Sequence, residues 1–183
     1  MIAVNGVSVM FGGFTLFDSI SFQIDKRDRI GLTGRNGAGK STLLKIIAGE
    51  NVPTEGSVAI DNDCKIGYLP QTILFGEGTT VRQEAAKAYN HLFKMQSDLD
   101  NLNMQLAERT DYESEEYLKL IDRIHLLTEQ ITIHGLAEMD GEIEVVLKGL
   151  GFKQSDLDRP CSEFSGGWRM RIELAKLLLT RPD

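Results

Sequence analysis

Gly34-Arg35-Asn36-Gly37-Ala38-Gly39-Lys40-Ser41-Thr42 is the stretch that decides the fold. Gly34 to Ser41 fits the spacing GxxxxGK[ST]. The apolar run Arg29-Ile30-Gly31-Leu32-Thr33 precedes it and reads as a short buried strand, and Leu43 to Ala48 follow as a helix. Strand, glycine loop and helix in that order make a phosphate cradle. The glycines let the backbone wrap a polyphosphate, several N–H groups converge on its oxygens, and the helix adds its positive end. Lys40 is placed to reach the β- and γ-phosphates, Ser41 to offer its hydroxyl to Mg2+, and Thr42 to touch the α-phosphate. The same glycines without a ligand would be a turn; the strand before and the helix after favour the phosphate.

Working outward, Ile2 to Val9 alternate as a strand, Gly12-Gly13 turn the chain, and Leu16 to Ile24 form a second strand. Ser57 to Ile60 and Cys64 to Leu69 read as two more strands about the turn Asp61-Asn62-Asp63, ending at Pro70-Gln71. From Val81 the period changes: Val81, Ala85, Ala88, Leu92, Met95, Leu99, Leu102 and Leu106 recur in alternating steps of 4 and 3. That is a heptad seam. After a polar break from Arg109 to Ser114, a second seam runs through Tyr117, Leu120, Ile124, Leu127 and Ile131. A helical hairpin buries both seams against each other; amphipathic helices lying on a core would show a similar stripe.

A second anion-binding constellation is Phe164-Ser165-Gly166-Gly167-Trp168, with Ser165 at an N-cap position and two glycines freeing backbone amides ahead of a helix from Arg169 to Thr180. Alone, it would read as an ordinary cap.

Composition bounds the rest. The 183 residues, 42% hydrophobic and 26% charged with 18 glycines, suit one folded domain with an insertion. No apolar run approaches the roughly 20 residues of a membrane span, and the start lacks a signal-peptide pattern, so a cytoplasmic location without membrane partners is expected. Cys64 and Cys161 are isolated, and His91, His125 and His134 lie far apart, so neither type suggests a metal site. A net charge of −7 argues against a broad nucleic-acid face.

The Gly34–Thr42 loop, the glutamine of Leu69-Pro70-Gln71 and Ser165-Gly166-Gly167, in that order, resemble an ATP-binding cassette. The string Ser165-Gly166-Gly167-Trp168-Arg169-Met170-Arg171 and the long interval between Gln71 and Ser165 resemble the ABC-F branch, soluble proteins with two cassettes and a helical arm at this place. The resemblance implies an α/β P-loop fold of the ABC type, with an N-terminal antiparallel β-subdomain and a helical-hairpin arm. It divides the chain into a β-subdomain and P-loop core (1–71), an arm (81–134), and a helical subdomain with the signature helix (135–183). By the same resemblance Phe11 holds the place of the adenine-stacking aromatic, the reading favoured over a simple core residue. Gln71 holds the place of the glutamine that touches Mg2+ and senses the γ-phosphate. Family cassettes bind ATP between two copies, which assigns Lys40 and Ser165 of one chain to different sites.

The same pattern leads us to expect a partial cassette. In the family an apolar strand bearing an aspartate and a glutamate follows the signature helix, whereas this chain stops at Arg181-Pro182-Asp183. Binding of Mg-ATP without hydrolysis is therefore expected of these residues, with hydrolysis belonging to a longer protein. The implied partners are ATP, a second cassette and the ribosome. An acidic arm tip, with Asp111, Glu113, Glu115 and Glu116 against Arg109, suggests contact with ribosomal protein more than with RNA. The alternatives are a nucleotide-binding subunit of a transporter and a chromosome-maintenance ATPase.

Overall fold

The computed structural model describes residues 1–73, 75–133 and 138–183, so His134 lies outside the described residues. Two compact units emerge, Met1–Pro70 with Arg181–Asp183, and Gln71–Thr180.

In the first unit a three-stranded antiparallel sheet has β1 (Ile2–Phe11) at its centre, flanked by β2 (Phe14–Ile24) and β3 (Glu55–Ile60). The β1–β2 connection is as short as a hairpin allows. Gly12 and Gly13 take φ of 54° and 88°, and a two-residue turn that follows the strands' right-handed twist needs positive φ at both positions. The helix α1 (Lys40–Ile47) turns Leu43, Ile46 and Ile47 inward, a three-and-four spacing that puts them on one face against Val4, Val7 and Val9. Each such side chain removed from water contributes about 1.5–3 kcal/mol before entropy is counted.

Two expected strands do not form. Arg29–Thr33 and Cys64–Leu69 carry no ladder, and Ile30 and Leu32 are 57% and 42% exposed. The reason is pairing: the described ladders join only β1 to β2 and β1 to β3, and an apolar segment with no neighbour of its own has nothing to bond its amides. Lys65 does exchange bonds with Asp183, whose N–H donates to the Lys65 carbonyl at 3.0 Å while the Lys65 N–H donates to the Asp183 carboxylate at 2.9 Å.

The second unit is helical. It holds α2 (Val81–Ala86), a 3-10 turn (Lys87–Tyr89), α3 (Asn90–Glu108), α4 (Glu115–Ile133), α5 (Met139–Gly149) and α6 (Gly166–Thr180). A capping box starts α2, the Gln83 N–H donating to Thr80 Oγ1 at 3.2 Å and the Thr80 N–H to Gln83 Oε1 at 3.1 Å. The Val81 and Arg82 amides donate to the carbonyls of Arg159 and Leu157, so two more first-turn donors are satisfied.

The long seam divides. Val81, Ala85, Ala88 and Leu92 are buried with Ile143, Leu147, Leu157 and Ile172, whereas Leu99, Leu102 and Leu106 belong to the stretch of α3 that pairs with α4. What reads in sequence as one uninterrupted arm helix is thus a core helix joined through a 3-10 turn to an arm helix. At the tip Ser114 starts α4 by accepting the Tyr117 N–H at 3.0 Å. Arg109 there forks onto Asp111, at 2.9 and 2.6 Å, and reaches Glu116 at 2.9 Å. Its guanidinium, with the Ser114 hydroxyl, holds the Asp111 carboxyl well below the usual carboxylate range.

Candidate functional site

Lys40 opens α1 and folds back over the loop, its ammonium donating to the carbonyls of Gly34 and Arg35 at 2.8 Å each. Ala38 N–H closes a turn on the Arg35 carbonyl at 3.2 Å. The loop therefore curls around its own lysine, leaving Gly34, Arg35, Asn36, Gly37 and Ala38 exposed. Gly39 caps the helix at φ 89° without a side chain, so no side-chain oxygen occupies the N-terminus formed by Lys40, Ser41 and Thr42. A Cβ on Gly39 would stand 2.9 Å from Leu16 Cδ2 and Phe17 Cδ1, so this position requires glycine both for its backbone angle and for the approach of β2.

Those groups fit a triphosphate with its metal. A cationic head on a mobile stem, uncapped amides at a helix start and the exposed Ser41 hydroxyl are the donors such an anion and its Mg2+ require. Phe11 lies 59% exposed at the end of β1. It is not a core residue. A different concavity in this unit, of about 380 Å3, is lined by Asp25, Asp28, Asp61 and Asp63 and includes no loop residue. Three of these carboxylates are engaged: Asp61 takes the Met1 amine at 2.8 Å, Asp28 the Asp25 N–H at 2.9 Å and Asp25 the Gln23 amide at 2.9 Å. Among the described residues no cluster of three or more acidic, His or Cys side chains could hold a metal.

In the second unit, Gln71 is exposed at its start, and Ser165, Gly166 and Gly167 are exposed at the start of α6. What positions them is the residues around them. The Arg169 guanidinium donates through Nε to the Phe164 carbonyl at 2.8 Å, and the Arg169 N–H donates to the Ser165 carbonyl at 2.9 Å. Trp168 meets Phe152 edge to face with centroids 4.9 Å apart, Phe164 meets Phe152 at 5.6 Å, and Arg171 lies 4.5 Å over the Trp168 ring. The exposed turn thus sits on an aromatic base.

Sequence reasoning missed Glu84. It is 2% exposed, yet it accepts from Lys87 at 2.5 Å and Lys176 at 2.9 Å, tying α2 to α6. Burial alone would raise its pKa, but the two ammoniums outweigh this and hold it below the ordinary value. Burial and the Glu84 charge push the neighbouring Cys161 thiol up to about 11, so it is an inert thiol. No local signal announces the ion pair, because Lys176 stands 92 residues beyond Glu84. Phe14, 66% exposed opposite Phe11, was also missed, and the pattern Phe-Gly-Gly-Phe could have found it.

The family model described as ABC transporter matches residues 17–183. Over all 183 residues the chain is 32% identical to the ATP-binding protein YfmM of Bacillus subtilis, covering 35% of it. It is equally 32% identical to ABC transporter F family member 2 of Arabidopsis thaliana, covering 27% of that protein. Against the tylosin resistance ATP-binding protein TlrC of Streptomyces fradiae the identity is again 32%, over 33% of that protein. The chain therefore spans about a third or less of these relatives. Among solved structures, a dimeric bacterial ABC transporter cassette superposes with a TM-score of 0.62 at 21% identity, over all of this chain and 71% of that one. A post-hydrolysis dimeric cassette bound to ADP and Pi gives 0.61, at the same identity and coverage. These likenesses establish the α/β P-loop fold of the ABC type, and with the family match over most of its length the chain belongs to the ABC transporter family as an ATP-binding cassette.

Proposed function

We propose that the chain is the nucleotide-gripping part of an ABC-F protein whose cassettes close on ATP to regulate translation or protect the ribosome, with the α3–α4 hairpin as the arm that reaches the ribosome. The observation that carries this reading is the self-contained hairpin standing between Gln71 and the Ser165–Trp168 turn, together with a match of all 183 residues to about a quarter of an F-family relative. The resistance named for TlrC fits the same class of role.

Mg-ATP, when bound, supplies the phosphoryl chemistry of the cassette. In this reading the Gly34–Thr42 amides hold its phosphates, the Lys40 ammonium leaves its two carbonyls for the phosphate oxygens, Ser41 and Gln71 serve Mg2+, and Phe11 supports the base. Ser165, Gly166 and Gly167 serve the nucleotide of a partner cassette. Positioning of the attacking water is assigned to none of these residues, so the activity proposed for this chain is binding of Mg-ATP without appreciable turnover. The arm is the α3–α4 hairpin beyond Leu92, and its acidic tip meets protein. None of the described helices is long and apolar enough to cross a membrane.

Co-sedimentation with ribosomes tests this. The protein carrying this chain should pellet with ribosomes in Mg-ATP and be released in ADP, and shortening the hairpin should abolish pelleting while ATP binding persists. Nucleotide-independent recovery with a membrane protein instead would select the transporter subunit.

A further inference from the structure

We propose that Phe14 is a second base-contacting ring, so that the nucleotide's base meets two phenylalanines at the β1–β2 turn, Phe11 and Phe14, and their aromatic faces set the preference for a purine. The inference rests on the reading of Gly34–Thr42 as the phosphate site.

Register places the rings together. Phe11 pairs directly with Phe14 across the two-residue turn, and Val9 pairs with Phe17. Cross-strand partners share a face, as do positions two apart on one strand. Phe11 is two residues past Val9 on β1, so Phe11 and its partner Phe14 continue the face of Val9 and Phe17, the register shift between the two pairs being taken up on β2 at Leu16. That face is the one that packs on Leu43 and Ile46 of α1. Its inner part is covered, Val9 being 4% exposed, and its end is bare, with Phe11 and Phe14 at 59% and 66%. A hairpin end carrying two uncovered phenylalanines is costly in water unless something covers it.

The phosphate loop lies alongside. The space a Gly39 side chain would need is filled by Leu16 and Phe17, 2.9 Å from it. Phe14 is two residues before Leu16, about 7 Å along the strand. A nucleotide whose phosphates sit on the Lys40 amides must send its base outward from that point, and the bare end of the same sheet face is the apolar surface beside it. Every base presents a π-face, so aromatic stacking suits the task.

The test is a titration of the chain with Mg-ATP, Mg-CTP and Mg-tripolyphosphate. Phe14→Ala and Phe14→Leu should each weaken Mg-ATP about five- to tenfold and Mg-CTP less, leaving tripolyphosphate within twofold. Phe14→Tyr, which keeps a ring, should bind ATP as the unaltered chain does. The leucine and tyrosine variants separate an aromatic contact from mere apolar cover, and the exposure of Phe14 leaves the core untouched. Unchanged ATP affinity in Phe14→Ala, an equal loss for tripolyphosphate, or full rescue by leucine would each overturn the proposal. If Phe11→Ala weakens ATP and Phe14→Ala does not, the site stands and this inference alone fails. Absence of Lys40-dependent binding would remove both.

Discussion

Glu84→Gln exchanges a buried carboxylate for an amide of the same shape, so it opens no cavity and isolates the charge. The carboxylate is 2% exposed and takes two ammoniums, Lys87 at 2.5 Å and Lys176 at 2.9 Å. Removing one partner from a buried ion pair costs about 3–5 kcal/mol. Two facts place this case at the lower end. Lys87 is 44% exposed and can turn to water, and Lys176 keeps Glu173 at 2.8 Å. A loss of about 3 kcal/mol is expected, which at a urea slope of about 2 kcal/mol per molar lowers the midpoint by about 1.5 M. The assay is urea unfolding followed by helical circular dichroism, repeated for Lys176→Met and the double variant, which should show a coupling above about 1 kcal/mol. The pH dependence has a definite sign. The folded-state pKa of Glu84 is depressed by the two ammoniums against the opposing effect of burial, so its stabilisation is complete above the ordinary carboxyl value of about 4.3 and is lost as pH falls through the lower folded value. The unaltered chain and Glu84→Gln should therefore converge in acid. A midpoint shift below about 0.3 M at neutral pH, or additive single effects, would refute the view that this charge ties α2 to α6.

Lys40→Ala should weaken Mg-ATP by about ten- to a hundredfold, the worth of a charged hydrogen bond, and phosphate release should stay at background in both forms; Lys40-dependent turnover by this chain would contradict the assignment. Replacing residues 97–129 with a short glycine-serine turn should leave ATP affinity within about threefold. Extending that deletion back to Val81 should instead unfold the second unit, because Val81 and Ala85 are fully buried, and melting curves distinguish the two.

The phosphate loop, the glycine turn and the helical seams were legible because each is written within a few residues. Gly34 to Ser41 needs only its own spacing, and Gly12-Gly13 only its own backbone freedom. The seam was legible in period and not in partner. Val81, Ala85, Ala88 and Leu92 keep the same steps as Leu99 to Leu106, and nothing local says that the first four face Ile143 and Ile172. Arg29–Thr33 and Cys64–Leu69 failed as strands for the converse reason. Their composition is that of buried strands, but a ladder belongs to two segments at once, and among the described residues neither gains one, Lys65 and Asp183 sharing only two isolated bonds. Glu84 was invisible because buried charge carries no pattern, and the partner that ties it to α6 lies far along the chain.

The 3-10 turn Lys87–Tyr89 is held from two sides, by Lys87 on Glu84 and by the Tyr89 hydroxyl on Glu142 at 2.7 Å. A joint fastened in this way transmits torque where a loose linker would absorb it. The 19 residues of α3 extend about 28 Å from it at 1.5 Å per residue. Mechanically the hairpin is a beam with a clamped root, and a rotation of about 5° at that root carries its tip about 2.5 Å, roughly the length of a hydrogen bond.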